Sequence, residues 1–230
     1  MKKALYLIMT FMLLLSLCAC SESGTKSSVT SGAKTQTETG DENKKEPEKT
    51  NTISIADQLE IGGYSYKSDW SNYFFMTIKN NSSLNADVFV EVNFYDSDGN
   101  IVGAKSGSQE AIESGHSVLL YFMPDEDYAS VEYELTAEEE TWYECVQSDL
   151  TYEATEAKDK IILSVTNNGE EAAEFVEASV LFFKGEDIVG FSQNYTTDSD
   201  SELKPGKTIN KEMDCYQEFD SYEVFLTGRR

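Results

Sequence analysis

The chain repeats itself, and that constrains its fold more than any other feature. An apolar-alternating run, Phe74, Met76 and Ile78, ends in Asn80-Asn81; another, Ile161, Leu163 and Val165, ends in Asn167-Asn168, 87 residues further on. Val90, Val92 and Phe94 match Ala178, Val180 and Phe182 at an offset of 88, and Ile101-Val102-Gly103 matches Ile188-Val189-Gly190 at 87. Gly115, Val118, Tyr128, Val131, Tyr133 and Leu135 match Gly206, Ile209, Phe219, Tyr222, Val224 and Leu226 at 91. A fixed order of segments with length changes confined to turns is the mark of two copies of one fold.

Each copy reads as strands. The runs alternate with period two, apolar on one face and polar on the other. Asp96-Ser97-Asp98-Gly99-Asn100 and Lys184-Gly185-Glu186-Asp187 have hairpin-turn composition, and Glu113-Ser114-Gly115 and Lys204-Pro205-Gly206 serve the same use. Beyond the leader no stretch keeps a helical apolar period over three turns. Six or seven short strands in about 85 residues predict an all-β chain of two tandem immunoglobulin-like β-sandwich domains. The expected division is 1–19 leader, 20–52 tether, 53–137 repeat 1 and 138–230 repeat 2. Val92-Asn93-Phe94-Tyr95-Asp96, between an Asn-Asn strand end and a Gly turn, resembles the FxLYD-type repeat domain of bacterial envelope proteins. Copy two departs from that motif with Phe182-Phe183-Lys184. The resemblance implies small sandwiches, often in tandem on lipoproteins, acting as accessory or binding modules with no catalytic residues.

The first 20 residues differ from the rest. Lys2 and Lys3 precede an apolar run from Ala4 to Leu17, broken by Thr10 and Ser16. That is short for a membrane span, which needs about 20 apolar residues, and right for a signal-peptide core. Leu17-Cys18-Ala19-Cys20-Ser21 resembles the bacterial lipobox, which implies cleavage before Cys20 and a diacylglyceryl group on its thiol; an uncleaved N-terminal anchor is the other reading. Ser21–Thr52 has no aromatic residue, and Val29 and Ala33 are its only aliphatics. Such a segment buries too little apolar surface to offset ordering and is expected to be disordered, a coil spanning about 30 Å.

Charge excludes some partners. With Lys2 and Lys3 removed, the mature chain carries 16 − 42 = −26, against −24 for the whole. Such a surface repels nucleic acid and anionic headgroups, so membrane attachment is expected to go through the lipid on Cys20.

Candidate chemistry is sparse. His116 is the single histidine, and Lys207 takes its place in copy two, as at a solvated turn. A Ser-His-Asp triad or a two-histidine metal site has no support from this pattern. Asp96–Asn100 has calcium-like composition, but Gly comes fourth and the flanks are strands, so a hairpin turn is the expectation. Asp125-Glu126-Asp127, Glu138-Glu139-Glu140 and Asp198, Asp200, Glu202 read as solvated loops. Trp70 and Trp142 lie among polar residues near strand starts and are possible partner contacts; the alternative is a core edge. Cys145 and Cys215 are the cysteines of the folded part. An oxidising compartment favours a bridge, whereas strand counting puts the two at opposite ends of the second sandwich, and geometry leads to free thiols.

The resulting expectation is a membrane-anchored extracytoplasmic lipoprotein. It is not an enzyme, needs no cofactor or metal, and uses its sandwiches for binding or envelope assembly, with a protein or envelope-polymer partner and no nucleic acid. A solute- or ion-binding accessory of a transporter or sensor is the alternative.

Overall fold

A computed structural model describes residues 29–31, 54–68 and 71–230 of the 230-residue chain. Cys20 and Trp70 lie outside the described residues, as do the leader and all of the expected tether except Val29–Ser31. Among the described residues the structure is strand and turn, with two single-turn 3₁₀ segments at Ala56–Gln58 and Gln147–Asp149.

Copy one holds β2 (Leu59–Lys67), β3 (Asn72–Asn80), β4 (Ala86–Tyr95), β5 (Ile101–Ile112), β6 (Ser117–Phe122) and β7 (Ser130–Glu139). Strands β2-β3-β6 form one antiparallel sheet and β5-β4-β7 the other. Copy two holds β8 (Leu150–Ala157), β9 (Lys160–Asn167), β10 (Ala173–Lys184), β11 (Asp187–Tyr195), the two-residue β12 (Glu202–Leu203), β13 (Thr208–Asp214) and β14 (Ser221–Arg229). Its sheets are β8-β9-β13 and β11-β10-β14, with β12 beside the start of β10. The strand order is the same in both copies, and each is an immunoglobulin-like sandwich. Strand β7 runs to Glu139, two residues past the expected boundary at 137.

Register shows how the repeat is realised. Phe94 pairs with Gly103 and Val131, and Phe182 with Gly190 and Tyr222. Ile78 pairs with Val118, and Val165 with Ile209. Each of these partners is the one predicted by the offsets. Phe94 and Phe182 are fully buried in their respective cores, Phe94 with Phe74, Val90 and Val92, and Phe182 with Leu163, Val180 and Met213.

The first Asn of each Asn-Asn pair is a buried bracket. Asn80 donates its amide to the carbonyls of Leu84 and Ile112 at 2.8 and 3.0 Å, and its Oδ1 accepts from the Ser82 N–H at 3.0 Å. Asn167 donates to Glu171 and Leu203, both at 2.8 Å, and accepts from Gly169 N–H at 2.8 Å. The turn after β5 closes on the same strand end. Asn80 N–H donates to His116 C=O and Gly115 N–H to Asn80 C=O, and Lys207 and Gly206 repeat both bonds with Asn167. The backbone at His116 is therefore what the fold uses, which is why Lys can stand there.

Within the segment expected as tether, Val29–Ser31 run as a short strand, β1, parallel to β7. The physical reason is the open edge of β7, whose unpaired N–H and C=O groups are a template for any extended segment. Val and Thr are β-branched and suit that conformation.

The two sandwiches stack into four layers. The outer face of β2-β3-β6 meets the outer face of β11-β10-β14, burying Phe75, Leu119, Leu181 and Phe225 with Tyr64, Tyr66, Tyr73, Phe183, Ile188 and Phe191 packed around them. Phe75 and Phe191 ring centroids are 4.9 Å apart, and the Tyr66 hydroxyl donates to the Val189 carbonyl at 3.2 Å. The copies use different faces for this contact. Register puts Ile162, Asn210 and Glu212 of copy two where copy one has Phe75, Leu119 and Tyr121. It puts Asn93 and Glu134 of copy one where copy two has Leu181 and Phe225. The free outer faces thus carry mostly polar residues at the positions where the packed faces carry apolar ones.

Candidate functional site

Between β7 and the second 3₁₀ turn the chain crosses from one sandwich to the other, and an open groove of about 650 Å³ lies over this joint. Trp142, Tyr143, Glu113, Glu144 and Asp149 are among its lining residues. Trp142 is 88% exposed, so it belongs to the surface and not to a core edge. Tyr143 is 38% exposed, with the Arg229 guanidinium 3.9 Å above its ring.

The joint is held from both sides. Cys145 makes an isolated antiparallel bridge with Arg229, and Glu144 and Arg230 exchange backbone hydrogen bonds at 3.0 and 3.1 Å. Arg230 also pairs with Glu144 at 3.1 Å and with Asp149. Three polar contacts run from copy two to copy one: Arg229 pairs with Glu110, Gln147 donates to Ala111 C=O at 2.7 Å, and Ser148 N–H donates to Glu113 at 2.8 Å. Ala111 takes φ 55°, a left-handed conformation costly for a residue with a Cβ, and it is fixed by bonds at both its N–H and its C=O.

Glu140 departs from the expected solvated run Glu138–Glu140. It is only 8% exposed, and its Oε1 accepts the N–H groups of Trp142 and Tyr143, the latter at 2.8 Å. Asp87, on the outer face of β4, accepts the Ala111 N–H at 2.9 Å and lies against the Glu140 carboxylate. Burial first, then the Glu140 carboxylate, pushes the Asp87 carboxyl up to about 6. Nothing in the sequence separates Glu140 from its two Glu neighbours; only the turn it caps does.

The other candidates are structural. Asp96 Oδ1 accepts N–H bonds from Asp98 and Asn100 at 2.9 and 2.8 Å, and Gly99 has φ 82°, as a tight turn requires. The amide of Asn100 and these backbone donors hold the Asp96 carboxyl below its usual range. Asp127 is paired with Lys67, Asp125 with Lys105 and Asp200 with Lys204. Among the described residues no group of three or more His, Cys, Asp and Glu is placed to hold a metal ion, and no helix is long and apolar enough to cross a membrane.

Cys145 and Cys215 are both free thiols. Cys145 sits opposite Arg229, which pairs with Glu174 on β10. A Cβ added at Gly190 would meet Cys215 Sγ at 2.6 Å, and Gly190 pairs with Phe182 on the same strand. From Glu174 to Phe182 is about 26 Å at the rise of a strand, far beyond the reach of a bridge. Burial, then Glu113, Glu140, Asp87 and Glu144, push the Cys145 thiol up to about 12, and burial raises Cys215 as well. Cys145 and Cys215 should therefore both label in denaturant without reductant. In the native protein alkylation should be slow at neutral pH and, at Cys145, should rise about tenfold per pH unit toward 12. A bridge would show as labelling that appears only after reduction.

No protein-family model matches the chain, and no curated protein does. Among solved structures, red sea bream transglutaminase matches at 8% identity over 74% of this chain and 31% of that one, with a TM-score of 0.23. The chain thus spans about a third of that protein's length.

Proposed function

We propose that the chain is a lipid-anchored, extracytoplasmic binding protein of a bacterial envelope, held to its membrane through Cys20, and that it is not an enzyme. The groove over the joint is its contact surface for a protein or envelope-polymer partner. The observation that carries this reading is Trp142, a large apolar ring left 88% exposed on a groove whose position both sandwiches fix. Exposed Trp and Tyr on a rigid support are favoured partner anchors. The charged run and Leu-Cys-Ala-Cys box of the leader support the anchor, and the net charge argues against nucleic acid.

One fractionation experiment tests anchor and surface together. Wild type should partition with membranes and cross-link to a discrete partner. Cys20→Ala should appear as precursor or be released without a lipid mass. Trp142→Ala should stay in the membrane with wild-type stability and lose about tenfold or more of the cross-linked partner. Lipid on the Cys20→Ala protein sinks the anchor; undiminished capture by Trp142→Ala sinks the surface.

A further inference from the structure

We propose that Asp87 and Glu140 share a single proton and act as a pH-sensitive clasp on the joint between the sandwiches, closed when the proton is held and loosened when it is lost. This deepens the reading of the groove as a contact surface and rests on that reading only for its consequence, since Glu140 positions the segment that presents Trp142 and Tyr143.

The geometry begins with an orphan. Glu140 Oε1 is occupied by the N–H groups of Trp142 and Tyr143, while Oε2 is buried with no donor. Its neighbour is Asp87. Two ionised carboxylates are both acceptors and repel, so this contact becomes a hydrogen bond only if one of them carries a proton. Burial and the acidic surroundings favour that state. Glu110 faces the pair from β5 and is itself held by Arg229 of β14; Glu138 of β7 lies directly opposite Asp87; Glu113, Glu144 and the neutral Cys145 thiol complete the surroundings. Arg230 is committed to Glu144 and Asp149.

A hard divalent cation is the competing occupant. It takes about six to eight oxygens. Here the N–H groups of Ala111, Trp142 and Tyr143 point at the two carboxylates, and their positive dipole ends oppose a cation while leaving room for a proton. The structure thus favours the proton.

The sign follows from linkage. A carboxyl raised in the folded state stabilises it fully below the ordinary carboxylate range, and that stabilisation is lost as pH rises through the folded value, about 6 for Asp87. The protonated fraction then falls about tenfold per pH unit above that point, and the closed clasp weakens with it. A surface protein moving between mildly acidic and neutral surroundings would cross this range.

The test is an amide NMR titration of the mature chain between about pH 4.5 and 7.5, read at Ala111, Trp142 and Tyr143. Wild type should show one common inflection near 6 at all three. In Asp87→Asn the new amide can donate to Glu140 Oε2 at every pH, so the three signals should stay at their low-pH positions throughout. Glu140→Gln should also abolish the inflection near 6, which keeps the test decisive if Asp87→Asn fails to fold. Inflections in the ordinary carboxylate range, or an inflection near 6 surviving in either variant, overturn the clasp. So does calcium restoring the low-pH positions at neutral pH. No ligand enters the readout: a flat titration leaves the groove reading intact, and a groove that captures nothing leaves the clasp intact.

Discussion

Asn80→Asp should unfold the first sandwich more readily than Asn80→Ala, although Asp is nearly isosteric with Asn. Asn80 is fully buried, and its amide serves the carbonyls of Leu84 and Ile112 while its oxygen serves Ser82. Alanine removes the side-chain partner of the Ile112 carbonyl and of the Ser82 N–H and leaves the Leu84 carbonyl with the Ser82 hydroxyl alone, at about 1–3 kcal/mol for each orphaned group, a loss of roughly 2–5 kcal/mol. Aspartate keeps the acceptor but turns a charged oxygen on two carbonyl oxygens in a buried place, which costs several kcal/mol more unless the acid takes up a proton. Against a typical total of about 5–15 kcal/mol, either change should be visible as a large fall in the urea midpoint. Asn167 should behave the same way, because its partners Glu171, Leu203 and Gly169 sit in the matching places. Asn81 and Asn168 are the internal controls. Their amides make exposed contacts to Glu60 and Thr151, so alanine there should cost under about 1 kcal/mol. Equal effects at both members of a pair would show that the bracket is not what holds the strand end.

The strands and their equivalence were legible because period two and the Gly turns are local signals, and their offsets anticipate the register at Phe94, Phe182, Ile78 and Val165. Strand parity was legible too. Segment β12 is a two-residue edge fragment that pairs with the start of β10 and leaves the parity between Cys145 and Cys215 unchanged. The stacking of the sandwiches was harder to see, since an outward aromatic looks like a core aromatic in one strand. The signal was present in Tyr73-Phe74-Phe75-Met76 and Val180-Leu181-Phe182-Phe183, runs apolar at both parities, which is what a strand buried on both faces requires. Glu140 was hidden for a different reason. Its burial depends on a turn that brings two N–H groups onto one oxygen and on Asp87, 53 positions away in sequence. No composition or period encodes that meeting.

Leu181→Asn combined with Phe225→Glu should separate the sandwiches while leaving each one folded. These are the residues that copy one already carries at the equivalent positions, Asn93 and Glu134, on a face that meets no sandwich. Copy one's sheet therefore shows that such residues suit the outer face of this fold. In copy two the same positions are buried, Leu181 fully and Phe225 at 2% exposure, against Phe75 and Leu119. Removing two apolar side chains from that contact forfeits about 1.5–3 kcal/mol each. A carboxylate left there without a cationic partner adds several kcal/mol, which the protein avoids by opening the contact and hydrating it. The core clusters of the two copies share no residue with the changed positions, so their internal packing is left in place. The Arg229–Glu110 pair, the hydrogen bonds from Gln147, Ser148 and Tyr66, and the ring contacts of Phe191 with Phe75 and of Tyr64 with Phe183 remain between the layers, and a carboxylate set among them without a partner outweighs their hold. Limited proteolysis should then cut between Glu140 and Gln147, yielding two resistant fragments, whereas the wild-type joint survives the same digestion. Scattering should show a longer, more variable particle. A double variant that keeps wild-type dimensions and resists cleavage there would mean that the polar joint, and not the aromatic contact, sets the geometry of the stack.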